Sequence, residues 1–255
     1  MSKVIDYTGL DSLKAKLDKH RPLPEAIVTN LREQLVLQWT YHSNAIEGNT
    51  LTLKETKVVL EGITIGGKSL REHFEAINHR DAIEYVEALS ANQEAFNERN
   101  IKGLHQLILK NVDDDNAGRY RNINVTISGA QHTPPSALQL PEQMEQLIHS
   151  YNDSQQLHAI ERAAKVHIEF VKIHPFVDGN GRTSRLLMNL ELMKSGFPAV
   201  IVPIEDRLAY YEALDTAHCH GDYTLFLTLL IKWVKTSFEP YFWALNLEDN
   251  DNIVP

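Results

Sequence analysis

The chain has 255 residues and a single cysteine, Cys219, so no internal disulfide can form. That scarcity fits a reducing compartment, and a cytoplasmic location is the expectation. No apolar run reaches the roughly 18 residues that a membrane-crossing helix needs, so no membrane association is expected. Residues 1–10 (MSKVIDYTGL) lack the apolar core of a signal peptide. Basic side chains are in deficit: 25 Lys and Arg stand against 34 Asp and Glu, for a formal charge of −9. A nucleic-acid surface needs a basic face, so nucleic acid is not expected as a partner. HExxH and cysteine–histidine clusters are missing, and His218 and His220 alternate too closely to share one helical face. Repeats and low-complexity tracts are missing too. Only residues 248–252 (EDNDN) read as disordered.

What remains is an ordinary globular composition, 43% apolar and 23% charged. The length allows a substantial core in one large domain, or in a domain with an N-terminal extension. Helical spacing dominates. Pro24 to Tyr41 reads as a helix running into the segment 43–49 (SNAIEGN). Thr52 and Glu55 form a capping box for a short helix that stops at Gly62. Leu70 to Asn92, Ile101 to Leu109, Pro141 to Tyr151 and Leu157 to Ile173 follow as helices. Asp206 is placed to cap another, which carries Tyr210 and Tyr211, and Tyr223 to Leu245 reads as one closing helix. Between Gly118 and Pro135 the character changes. Residues 124–128 (NVTIS) are β-branched and alternating, which predicts a short hairpin.

The chemistry concentrates in residues 174–185 (HPFVDGNGRTSR). Pro175 biases His174 away from helical geometry, ending one helix, and Thr183 onward begins another. Gly179 and Gly181 allow successive N–H groups to turn toward one point, at the positive end of the second helix. Such a concavity suits phosphate. Arg182 and Arg185, about one turn apart, offer forked donors to the same anion. Asp178 is the carboxylate that could share Mg²⁺ with phosphate oxygens. His174 could take a proton from an attacking hydroxyl near neutral pH.

These residues match without a gap the signature HPFx[DE]GNGRxxR, and on them the chain resembles the Fic family. The resemblance spans residues 40–235 and implies a mainly α fold, a helical bundle with a small β-hairpin flap over the active site. It implies a protein adenylyltransferase that moves AMP from ATP, with Mg²⁺, onto a Ser, Thr or Tyr hydroxyl. His174 is then the general base, Asp178 the metal ligand and the Gly179–Gly181 loop the phosphate cradle. Asn180 and Arg182 would contact the α- and β-phosphates and Arg185 the γ-phosphate, with Phe176 as a buried anchor. Family members that transfer phosphate instead carry Ala-Asn-Lys where this chain has Gly-Asn-Gly.

The resemblance assigns further roles. Ser43 and Glu47, stacked four residues apart, are similar to the family's inhibitory motif [ST]xxxE[GN]; taken alone they read as a helix end with a solvated glutamate. With that motif, Glu47 would withdraw Arg185 from the γ-phosphate as a bidentate pair. The flap residues Val125, Thr126 and Ile127 would register a target backbone by strand addition. Gly129, Ala130, Gln131 and His132 would lie at the nucleotide end. Tyr211, and less directly Tyr210, would line the adenine pocket, and His218 stands where some relatives place a polar adenine contact. The implied division is an N-terminal helical extension (1–39), a Fic domain (40–240) and a tail (241–255). The partner is an unidentified protein, and pairing of two copies through helical surfaces is common in the family. Removal of AMP from a target, or nucleotide binding without turnover, are the competing functions.

Overall fold

The computed structural model describes residues 5–247; the acidic segment 248–252 lies outside them. Eleven α-helices are found among the described residues, and no strand. In chain order they are α1 (Thr8–Asp18), α2 (Glu25–Ile46), α3 (Leu53–Leu60), α4 (Leu70–Ala91) and α5 (Glu98–Leu109). After a long connection come α6 (Leu140–Asn152), α7 (Ala159–Ile173), α8 (Asn180–Lys194), α9 (Arg207–His220), α10 (Thr224–Ser237) and α11 (Glu239–Ala244).

Local chemistry sets most boundaries. The side chains of Thr52 and Ser69 accept from Glu55 N–H and Glu72 N–H, and each glutamate bonds back to its cap, so α3 and α4 begin with complete capping boxes. Gly62, at φ +87°, supplies the left-handed turn that stops α3.

Two hydrophobic clusters share α7 and α8 between them. One is built by α1, α9, α10 and α11 against Ala163, Ala164, Ile168, Met188 and Leu192. The other is built by α4, α5 and α6 against Val166, Phe170, Leu186, Leu187 and Leu190. Both faces of α8 are therefore buried, and its burial extends to polar side chains, Arg185, Asn189 and Glu191 among them. Each leucine so buried contributes about 1.5–3 kcal/mol. The loop joining α7 to α8 inherits this rigidity.

The extended crossing after α8 is held by one side chain. Asn189 Nδ2 donates to Val200 O and Val200 N donates to Asn189 Oδ1, both at 2.8 Å. That pair satisfies a buried peptide that has no strand neighbour.

Three sequence expectations are corrected. Residues 124–127 form no strand, and the backbone–backbone hydrogen bond of this stretch is the turn from Ala130 N to Ile127 O at 3.2 Å. A hairpin needs a return strand, and the returning stretch ends in Pro134 and Pro135, which cannot donate to a ladder. The closing helix is two helices: α10 ends at Ser237, and Pro240 opens α11, where its missing N–H costs nothing. Asp206 precedes α9 without capping it; its carboxylate instead accepts from Trp233 Nε1 at 2.8 Å and pairs with Lys232 at 2.9 Å.

Candidate functional site

The α7–α8 loop is over-determined. His174 closes α7 in the left-handed region, at φ 51° and ψ 59°, a conformation that a non-glycine residue adopts only under constraint. Arg121 supplies that constraint: its Nε donates to His174 O at 2.8 Å and its own N–H to Pro175 O at 2.9 Å. The same guanidinium reaches Ile123 O and Pro135 O at 2.8 and 2.6 Å, gathering both ends of the 122–135 segment beside the histidine. Phe176 is fully buried and stacks on His105, with ring centroids 3.5 Å apart.

Asn180 closes the turn. Its amide accepts from Phe176 N at 3.0 Å and donates to Phe176 O at 2.9 Å, so the side chain is committed to the loop and buried. Gly179 sits at φ +76°, and a Cβ there would press on Ile108 at 3.1 Å and on His105 Nε2 at 3.3 Å. His105 Nε2 donates to Asp178 O at 2.9 Å while Nδ1 accepts from Gly118 N–H at 3.0 Å, which fixes its neutral tautomer. Burial pushes this imidazole down to about 4.

A cavity of about 480 Å³ opens beside this loop. His174 and Gly181 line it together with Glu47, and Thr126, Ile127, Ser128, Gly129 and Ala130 form its outer wall. Tyr210, Tyr211, Asp215 and His218 line the α9 side. Burial brings the His174 imidazole down to about 4, opposed by the Val171 carbonyl, so at neutral pH the ring is an unprotonated base.

The carboxylate of Glu47 rests against Gly181, in the space a Cβ would need, at the N-terminus of α8. An anion belongs there, because the first N–H groups of the helix lack intrahelical partners. Arg185, fully buried, donates to Glu47 Oε1 at 2.8 Å, and to Ser43 Oγ and O at 3.0 and 2.8 Å. The contact with Glu47 uses one carboxylate oxygen, since Nε and Nη2 also donate to Ser43 and Nη1 faces the Tyr210 hydroxyl. Burial works against the Arg185 charge, yet Glu47 and Tyr210 hold it above its ordinary value.

The structure thus brings Ser43, Glu47, His174, Gly181 and Arg185 together from two helices, α2 and α8, and the loop before α8. Other residues singled out in the sequence have partners of their own, whether or not they line the cavity. Asp178 pairs with Arg71 at 2.5 Å and Arg182 at 3.2 Å, and Arg182 is within 3.5 Å of Glu75. Burial raises the Asp178 carboxyl, but Arg182, Gly179 N–H and Arg71 outweigh it and leave it below its usual value. Gln131 uses its N–H on Asp215 Oδ1 at 3.2 Å, and His132 Nε2 bonds Lys172 O at 3.0 Å. Tyr210 is buried with its hydroxyl 2.9 Å from His167 Nε2, whereas Tyr211 is partly exposed and donates to Ile46 O at 3.1 Å. Val125 is half-buried and Thr126 exposed.

Arg71, Glu75, His105, Arg121 and Asp215 were not singled out in the sequence. Their partners lie 53 to 107 residues away, and no local pattern signals such pairings.

Residues 95–192 match the model described as the Fic/DOC family. The solved structure of Fic-1 (aa134–508) from C. elegans superposes with a TM-score of 0.82 at 36% identity, covering 93% of this chain and 72% of that one. The chain belongs to the Fic/DOC family. A Fic domain containing signaling protein from Bacteroides thetaiotaomicron superposes with a TM-score of 0.85 at 27% identity, covering 94% of this chain and 98% of that one. Among curated Fic relatives, protein adenylyltransferase Fic of Nematostella vectensis is 38% identical over 249 residues, 94% of this chain and 57% of its own length. The chain spans about half the length of the curated relatives it matches, 57% and 44% of the first two.

Proposed function

We propose that the chain is a protein adenylyltransferase, held in check by its own Glu47. One observation carries the reading: a buried guanidinium and a glycine-opened helix N-terminus form an anion seat beside an unprotonated imidazole, and Glu47 sits in it. The curated relatives named protein adenylyltransferase Fic support the same chemistry, with ATP as the substrate. Residues 40–240 form the catalytic unit in this reading, with 1–39 as a helical extension.

In the transfer, His174 accepts the proton of a target Ser, Thr or Tyr hydroxyl. The oxygen bonds to the α-phosphorus as the bond to the β-phosphate bridging oxygen breaks, and pyrophosphate leaves. The N–H groups at the start of α8, with Arg182 and Arg185, stabilise the charge on the departing phosphates. Asp178, a carboxylate kept ionised at the phosphate end of the loop, fits Mg²⁺ in donor type, since that ion takes one or two carboxylates plus phosphate oxygens. Bound there, Mg²⁺ would neutralise phosphate charge.

Glu47 opposes all of this by filling the seat meant for the terminal phosphate. Only a displaced Glu47 leaves Arg185 to the γ-phosphate. The stretch Val125–Ile127 belongs to no ladder, and Thr126 and Ile127 line the cavity, which fits docking of a protein target by strand addition. No helix among the described residues is long and apolar enough to cross a membrane, and the lone Cys219 fits the cytoplasm.

Glu47→Gly, incubated with labelled ATP and Mg²⁺, is expected to label itself or a target at least tenfold faster than the parent chain. Equal rates would overturn the inhibitory role. Loss of AMP from a pre-modified target, dependent on Glu47, would instead favour removal as the main activity, since the carboxylate is a third exposed beside the imidazole and could orient water.

A further inference from the structure

The carboxylate that suits Mg²⁺ is already in use within the chain itself. Asp178 Oδ1 accepts from Gly179 N–H and lies 3.2 Å from Arg182 Nη2. Its Oδ2 accepts from Arg71 Nη2 at 2.5 Å. Both oxygens are engaged, so a metal ion has to displace a donor before it can bind.

These donors differ in their freedom to leave. Gly179 N–H belongs to the loop that Asn180 and His105 hold. Arg182 is 2% exposed and cannot turn away without disturbing the close packing around it. Arg71 is 56% exposed, in the first turn of α4, and can rotate into water. Its Nε also donates to Glu75 Oε1 at 3.0 Å, so the guanidinium bridges two carboxylates. Glu75 Oε2 accepts from Asn49 Nδ2 at 2.9 Å, which keeps that carboxylate in place when Arg71 moves.

The balance of charge points the same way. Asp178 and Glu75 are matched by Arg71 and Arg182, which leaves the cluster neutral. A lone dication approaching Asp178 meets two guanidiniums at close range and is repelled. Once Arg71 swings out, the two carboxylates outweigh the single cation that stays. An ion pair this exposed is weak enough to exchange readily.

We infer that the Arg71 guanidinium keeps the place of a divalent cation at Asp178, and that metal enters by exchanging with it. The inference rests on the proposed function, in that Asp178 is there the carboxylate for Mg²⁺. The nucleotide-free chain then has little affinity for the metal, because its own cation satisfies the site. Phosphates tip the exchange: they supply further oxygen ligands and the negative charge that a dication needs. Metal and nucleotide therefore load together rather than one after the other.

The test uses Mn²⁺, a paramagnetic stand-in for Mg²⁺ that shares its preference for oxygen ligands. Electron paramagnetic resonance of the free ion reads its binding to the nucleotide-free full chain and to Arg71→Met. The variant should bind Mn²⁺ about tenfold more tightly than the parent. Adding Asp178→Ala to the variant should remove that gain, which locates the ion at this carboxylate. Equal affinities, tighter binding by the parent, or a gain that survives Asp178→Ala each overturn the inference. Should Arg71→Met fail to fold, Arg71→Lys serves instead: an ammonium cannot span both carboxylates, so Mn²⁺ should again bind more tightly than to the parent, and equal binding overturns the inference. These titrations contain no ATP, so an overturned exchange leaves the transferase reading to stand or fall on the labelling of Glu47→Gly.

Discussion

Two segments face each other across the cavity and are built on opposite terms. The α7–α8 loop has nearly every backbone group committed: Asn180 bonds Phe176 twice, Arg121 holds His174 and Pro175, and His105 holds Asp178. The 122–135 segment opposite has one turn hydrogen bond, mostly exposed side chains and no ladder, and it is tied down chiefly at its ends. The contrast matches the two jobs proposed for them. Phosphate geometry is fixed, so the groups that meet it are held by a buried framework and cost no reorganisation when charge develops. A protein target varies in side chains but offers a constant backbone, and unpaired extended chain is the form that can meet it.

The largest expected effect strikes the rigid side. His174→Ala should lower AMP transfer by about 10²–10⁴-fold, the range for loss of a positioned base, with ATP affinity by calorimetry nearly unchanged. Matched substitutions then compare the two segments directly. Asn180→Ala leaves the buried N–H and C=O of Phe176 without partners and should cost about 2–4 kcal/mol in denaturant unfolding. Asn124→Ala removes an exposed bond of 2.9 Å to Ala137 N–H and should cost no more than about 0.5 kcal/mol. Equal losses would break the comparison.

Acid should expose the same asymmetry. His105, His174 and His218 have folded values near 4, and His167 near 3, all lowered by burial from an ordinary 6.5. The unfolded chain therefore binds more protons below pH 6.5, so stability is complete above that value and declines as pH falls toward about 4. Thermal midpoints measured from pH 7.5 to 4.5 should drop, and His105→Gln should flatten that slope. The smallest effect is on the open side. Thr126→Pro deletes one backbone donor and should slow modification of a target several-fold, read by mass shift, without moving the thermal midpoint.

Much of this was legible in the sequence because it is local. Residues 174–185 contain base, carboxylate, glycines and arginines in one run, and the capping box at Thr52 lies within four residues. The hairpin was misread for the same reason. β-branched alternation reports local preference, whereas a ladder requires a partner that Pro134 and Pro135 deny it. Arg121 and His105 looked unremarkable because their work is done on carbonyls 53 and 73 residues away. Asp206 looked like a cap, and long-range pairing with Trp233 and Lys232 outcompeted that local role.

Because Glu47 and Gly181 belong to one polypeptide, their meeting is a first-order event. Dilution cannot undo it, and no second molecule has to be found. The carboxylate behaves as a ligand leashed to its own receptor, present at an effective concentration set by the short reach from the end of α2 rather than by how much protein a cell contains.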